Sequence, residues 1–324
     1  MNSESILWTA PEGAILPDFI ISGAMKCGTT SLHAILEQHP DVYIPQPELH
    51  FYDMDDVIQH PDFNQFSQNT WLTPQFEKRS EYYWQWYSSQ FQNASANQLK
   101  GEDSTTYLAS EFAFKRIAQQ KKDIKIVIML RQPSARVYSH YWHMVKAGRA
   151  LFNFEDSLKF SPYNLLERSA YLKQLKLLFT YIKQTQVKVI VFEDFIANKE
   201  QTMMDICDFL GLDFSKLPQN ALNIHANHSR IPRFINLHLL KSKFFRHTSN
   251  CRYLNHFADS EHDQSISSCT SVFERFYRLI NPLVRKKPVN INPETKKFLD
   301  EYFYKELKGL DELLGQDILS RWFD

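Results

Sequence analysis

Glycine is scarce in this chain, with 8 among 324 residues. A stretch that places two of them within six positions therefore has a local conformational need for them. Cysteine is scarcer still. Cys27, Cys207, Cys251 and Cys269 form no CxxC pair and no zinc-ligand spacing, which sets aside a disulfide framework and a zinc ribbon. Neither sign of charge prevails, because 37 Lys and Arg balance 37 Asp and Glu. No global field then favours nucleic acid or an anionic membrane surface, and any anion site must be built locally. No apolar run approaches the roughly 20 residues of a bilayer span. The opening MNSESILWTAPEG has neither a basic nor an apolar leader segment. The expectation is a reduced, cytoplasmic setting in which the sequons at Asn93 and Asn227 carry no meaning. Internal repeats and low-complexity tracts are absent as well. The remaining composition, 43% hydrophobic and 23% charged, suits one large α/β domain over 1–324.

The glycine pair lies in Pro17–Leu36, PDFIISGAMKCGTTSLHAIL. Phe19, Ile20 and Ile21 form a short apolar run, a small-residue turn follows, and Leu32, Ile35 and Leu36 then recur at helical spacing. Strand, glycine turn and helix start is the layout in which backbone N–H groups converge on a phosphate. Gly23 and Gly28 bracket four residues as in a P-loop, but Thr29 stands where a Walker lysine belongs and Lys26 precedes the second glycine. That displacement predicts a phosphate-like group bound without the usual lysine and magnesium geometry. Cys27 reads as a small spacer in the turn, with a reactive thiol as the other possibility.

Beyond the turn, Pro45 and Pro47 forbid a continuous helix, and Glu48, His50 and Asp53 follow closely. A carboxylate and an imidazole two residues apart after a phosphate turn suit acid–base chemistry, or a solvated loop. Segment 55–98 is rich in aromatics, with a helix expected near Ser80–Phe91 whose aromatic series packs a core. KGEDSTTY (100–107) reads as a loop in which Ser104 or Thr105 caps a helix over 109–120. Ile124–Leu130, IKIVIML, reads as a strand buried on both faces, followed by a helix from Pro133 through Tyr141. It ends in Arg131, at the strand end where open α/β sheets bind ligands, and Ser139 comes two helical turns later. The pair could share an anion, or Arg131 could merely cap a carbonyl. Val187–Phe192 is another strand, and its trailing Glu193 and Asp194 mimic a magnesium-binding Walker B end. Helix Lys199–Leu210, closed by Gly211, ends a strand–helix alternation over 19–210 that reads as a doubly wound parallel sheet. Beyond 215 the pattern changes to a helix near 234–244 and an amphipathic helix over Pro293–Leu314. Ile318, Trp322 and Phe323 would fold the end of the chain back onto the domain. A basic segment around 225–255, with His225, His228, His238 and His247 interleaved, reads as a lid over an anion, or as a solvated face; its histidines lack a carboxylate at ligand spacing, so no metal is expected.

GAMKCGTTSL after a strand resembles the 5′-phosphosulfate loop of sulfotransferases that use 3′-phosphoadenosine 5′-phosphosulfate (PAPS), and RQPSARVYS resembles their 3′-phosphate motif. The resemblance implies a metal-independent transfer in which PAPS is the donor and 3′,5′-ADP (PAP) the product. Lys26 would meet the sulfuryl group and bridging oxygen, and Lys26, Cys27, Gly28, Thr29, Thr30 and Ser31 would form the donor-binding turn. Arg131 and Ser139 would read the 3′-phosphate, while Arg230 and Arg233 would close over the nucleotide. ELHFYD is similar to the ExHxxD pattern of heparan sulfate 3-O-sulfotransferases. It implies Glu48 as base with His50 as helper or alternative base, and Asp53 near the substrate. Asp103 stands where that group's GEKS-type loop has a lysine, which implies a less anionic acceptor. A small molecule, or secondly a glycan, is the expected acceptor partner, shaped in part by an insertion at 55–98. The rival readings are a P-loop kinase using Glu193 and Asp194, or an inactive nucleotide-binding protein.

Overall fold

The apolar run before the glycine turn becomes β1 (Phe19–Gly23), every residue of which is buried. In the computed structural model, which describes residues 7–46, 48–67, 69–224, 230–245 and 275–323, eight further strands follow. They are β2 (Val42–Tyr43), β3 (Gln65–Ser67), β4 (Thr70–Leu72), β5 (Leu99–Asp103), β6 (Lys125–Leu130), β7 (Val187–Val191), β8 (Arg230–Pro232) and β9 (Leu283–Arg285). The central sheet has the order β2-β5-β1-β6-β7 and is parallel throughout. From β1 the chain passes to the edge strand β2 and back to β5 on one side, then crosses to β6 and β7 on the other. β1 is therefore the switch point at which open α/β sheets form a crevice at their carboxyl ends. β3 with β4, and β8 with β9, are separate antiparallel pairs.

The apolar strands β1, β6 and β7 lie where their sequence places them; β5 does not. KGED was expected to be loop, yet it is a central strand paired on both edges. Its buried polar residues find partners inside the fold, so hydrophobic periodicity could not reveal it. Gly101 has a steric reason. A Cβ there would lie 2.4 Å from Phe19 Cζ and 2.9 Å from Ile44 Cγ1. Gly101→Ala is accordingly expected to destabilise the protein by about 1–3 kcal/mol through overpacking. A urea midpoint equal to that of the parent would contradict it.

Several boundaries also differ from expectation. Instead of one helix over 109–120 there is a single turn at Tyr107–Ala109 and a short helix at Ala113–Ile117. Ser104 and Thr105 cap nothing, because their hydroxyls donate to Glu102 and Glu48. The terminal helix splits into Pro293–Glu306 and Leu310–Leu314 around Gly309, whose φ of 100° leaves the helical region. Helix Lys199–Leu210 does end at left-handed Gly211, and Ile318 and Trp322 are buried at the chain's end. Of the expected basic lid, residues 230–245 are described and carry β8 and the helix Ile235–Phe245. The rest of it, including His225, His228 and His247, lies outside the described residues. Segment 55–98 holds β3, β4 and the helix Phe76–Ser89, whose Tyr83, Trp84 and Tyr87 are core residues packed on Phe51 and Phe76.

Candidate active site

A cavity of about 1210 Å³ opens at the carboxyl ends of the parallel strands. Its floor is the turn after β1. Gly28 begins the helix Thr29–Leu36 with φ 96°, and no side chain caps that helix. The first-turn N–H groups therefore stand where the helix dipole favours an anion. A Cβ on Gly28 would strike the Phe192 ring at 2.7 Å, so the turn admits no larger residue. Lys26, Gly28, Thr29, Thr30 and Ser31 all line the cavity. Lys26 holds φ 71°, a left-handed conformation rare for a side-chain-bearing residue, which aims it while costing about 1–3 kcal/mol. Burial first, and then the neighbouring charge of Lys146, lower its pKa; Glu48 acts in the opposite direction.

Arg131 follows β6 and Ser139 lies on the helix Pro133–Lys146, and both line the same cavity. Arg131 Nη1 donates to the Lys26 carbonyl at 3.3 Å, and its guanidinium stands 4.9 Å from the Phe192 ring centre. It thus caps a carbonyl of the turn, the second of the two uses left open by the sequence, and it also lines the cavity. Arg230 lines the cavity from β8. Arg233 does not; it is exposed and stacks on Phe234, because its position falls just past the strand's end.

The acid–base cluster lines the same cavity as Lys26. Glu48 Oε2 accepts from the Thr105 N–H at 3.2 Å and from the Thr105 hydroxyl at 2.8 Å, and His50 Nε2 stands 3.5 Å away. His50 has φ 51° and its Nδ1 lies 3.0 Å from Thr106 Oγ1. Burial, then the neighbouring His60, pushes the His50 pKa down to about 4, so its imidazole is neutral near pH 7. Behind it, His60 Nε2 lies 2.8 Å from Asp53 Oδ1 and 3.3 Å from Thr106 Oγ1. His50, Asp53 and His60 offer metal-ligand atoms within 4.8 Å of one another. The Thr106 hydroxyl already engages both imidazoles, and the charge of buried Arg168 acts on all three residues.

Besides Arg233, three expected site residues are placed elsewhere. Asp53 is fully buried and does not line the cavity; burial raises its pKa to about 7. Asp103 is buried against His33, with Oδ2 3.1 Å from Nδ1, so the acceptor inference drawn from it has no basis in the fold. The Cys27 side chain points inward, its thiol pushed up to about 11 by burial and its sulfur 3.7 Å from the Tyr171 hydroxyl. It is a spacer rather than a ligand-facing group. The kinase-like carboxylates are likewise spent on structure. Glu193 accepts from Gln132 N–H and Trp322 Nε1, and Asp194 pairs with Arg321.

The structure adds residues that sequence reading missed. Thr105 and Thr106 lie beyond an unrecognised strand. His143 and Lys146 follow Ser139 by four and seven residues, so helical spacing alone could have placed them on the cavity face. Nothing in the sequence signals Arg168, which reaches in from a separate turn to bond the Gln59 carbonyl at 3.0 Å.

Comparison with known proteins adds three findings. A family profile described as "Sulfotransferase family" matches residues 17–216. Human heparan sulfate glucosamine 3-O-sulfotransferase 5 is 25% identical over 209 residues, covering 61% of this chain and 54% of that protein. Human bifunctional heparan sulfate N-deacetylase/N-sulfotransferase 2 is 27% identical over 215 residues, covering 61% and 22%. The chain thus spans about half the length of the first of these relatives. A crystal structure of a sulfotransferase from Alicyclobacillus acidocaldarius shares the fold, with a TM-score of 0.60 at 24% identity over 95% of this chain and 99% of that one.

Proposed function

Because the chain belongs to the sulfotransferase family, we propose that it transfers the sulfuryl group of PAPS to a hydroxyl or amine of an acceptor. One observation carries the reading: Lys26 and the Glu48–His50 pair line one cavity with Arg131 and Ser139, and the Glu48 charge acts on Lys26. In an in-line transfer the bond from sulfur to the 5′-phosphate oxygen breaks as the acceptor oxygen or nitrogen bonds to sulfur. Negative charge grows on the departing 5′-phosphate, where Lys26 and the N–H groups of the turn stabilise it. The acceptor's proton passes to Glu48. Thr105 and His50 all address Oε2, which leaves the other carboxylate oxygen for that proton. Neutral His50 supports the carboxylate as helper. Arg131 and Ser139 read the 3′-phosphate, the group that separates PAPS and PAP from ATP.

The acceptor we propose is a small molecule, with a glycan as the second reading. Lys146 extends the positive lining beyond the donor turn, His143 beside it is held neutral by burial, and Trp86 and Trp142 give the cavity aromatic walls. That lining favours an acceptor with a planar or apolar body and a negative group. The test is transfer of labelled sulfate from PAPS across paired neutral and carboxylated acceptors, alongside thermal shifts with PAP and with ATP. PAP at about 100 times its Kd should stabilise the fold by about 2.7 kcal/mol, and ATP at the same concentration should not. Equal protection by ATP would favour the kinase reading, and PAP protection without transfer to any acceptor would favour an inactive binding protein.

A further inference from the structure

Glu102 lies in the middle of the sheet, on β5, fully buried. It does not line the cavity. Yet the hydroxyls of Ser104, Tyr107 and Tyr87 all donate to it, the first two to Oε1 at 2.7 and 2.5 Å and the third to Oε2. Three donors on one buried carboxylate offset a desolvation that a structural strand has no need to incur. Two of those hydroxyls have a second task. Ser104 Oγ accepts the backbone N–H of His50 at 2.9 Å, and the Tyr107 oxygen accepts the backbone N–H of Tyr52 at 3.0 Å. With its hydrogen committed to Glu102, each hydroxyl can present only its lone pairs, and so must accept from the loop above.

We propose that Glu102 is a positioning residue for the reaction: through Ser104 and Tyr107 it fixes the backbone of the loop that carries Glu48 and His50. The proposal rests on the sulfotransferase reading given above. Two features of the loop explain the need. His50 sits at φ 51°, a conformation that persists only when its surroundings over-determine it. The residue directly after Ser104 is Thr105, which holds the Glu48 carboxylate by two bonds. A drift of Ser104 therefore moves the acceptor of the His50 N–H and the donors to Glu48 together. The groups facing Glu102 are Tyr87 from the helix Phe76–Ser89, Tyr107 and Ser104 from the segment after β5, and Tyr52 and Asp53 from the loop itself.

The test compares Glu102→Leu, Glu102→Gln and the milder Ser104→Ala in the full chain, reading kcat, PAP affinity and the imidazole resonances of His50. Glu102→Leu should lower kcat by about 10²-fold, the scale of a 1 Å misplacement, with PAP affinity unchanged and the His50 resonances shifted. Ser104→Ala should shift the same resonances and lower kcat in the same direction. Glu102→Gln should restore turnover to within tenfold of the parent. Its amide oxygen still accepts from Ser104 and Tyr107, and its NH₂ can turn to the Tyr87 oxygen. Loss of PAP affinity in step with kcat, or a Glu102→Gln variant as impaired as Glu102→Leu, would overturn the proposal. So would unchanged His50 resonances in Ser104→Ala. If the parent transfers no sulfate, the sulfotransferase reading fails by itself, and the His50 resonances still decide whether Glu102 positions the loop.

Discussion

Replacing Lys26 by alanine is expected to lower kcat by about 10²–10³-fold, the loss typical of removing one preorganised donor from a developing negative charge. The effect should exceed that of any other substitution in the turn. Its side chain is a point charge at the mouth of β1, held by a left-handed backbone and largely withdrawn from water. In such a site a charge acts at a lower effective dielectric than in solution. PAP affinity should fall much less, because Gly28 through Ser31 and Arg131, the residues proposed to hold the phosphates, remain in the cavity lining. Pre-steady-state transfer of labelled sulfate together with PAP titration separates the two quantities. Equal losses in transfer and in PAP affinity would assign Lys26 to binding alone.

Glu48→Gln is expected to lower kcat by about 10²–10⁴-fold, the range of general base catalysis, with little change in PAP affinity. Glutamine is the informative replacement because its amide oxygen can still accept both bonds from Thr105. Geometry is kept and basicity is lost. The companion variant His50→Gln should be milder. Burial holds the His50 pKa near 4, so that imidazole is neutral on both sides of pH 7 and gains a proton only in clearly acid solution. The acid limb of turnover should not move toward neutrality when His50 is replaced. A Glu48→Gln enzyme with parental kcat sinks the assignment of Glu48 and turns attention to His50 as the base.

The path from sequence to site was direct where a feature is local. The glycine spacing at 23 and 28, the displaced Lys26, and an arginine ending an apolar strand are all set within a few residues of one another. The fold carries Lys26, Gly28 and Arg131 to the lining of one cavity. The apolar runs of β1, β6 and β7 are likewise local, and parallel strands covered on both faces commonly read as near-continuous hydrophobic runs. ELHFYD was legible as a pattern, which named Glu48 and His50 but could not say which of its members reach solvent. Glu48 lines the cavity and Asp53, five residues on, is buried beneath it.

What only the tertiary structure decided concerns polar groups whose partners are distant in the chain. β5 is a central strand with two carboxylates in it, stable because hydroxyls from Tyr87 and Tyr107 meet Glu102 and an imidazole from His33 meets Asp103. Read in order along the chain, the same residues signal a loop, since burial of a charge is costly unless its partner is supplied. Glu193 and Asp194 show the reverse case. They look like metal ligands in sequence, and become structural because Trp322 and Arg321 arrive from the far end of the chain. The amino-acid sequence by itself determined that two glycines and Lys26 share one strand-to-helix turn and that Thr29 stands where a Walker lysine would. Which carboxylates face the cavity, and which hold the loop that faces it, was decided by the pairing of side chains brought together when the sheet closes.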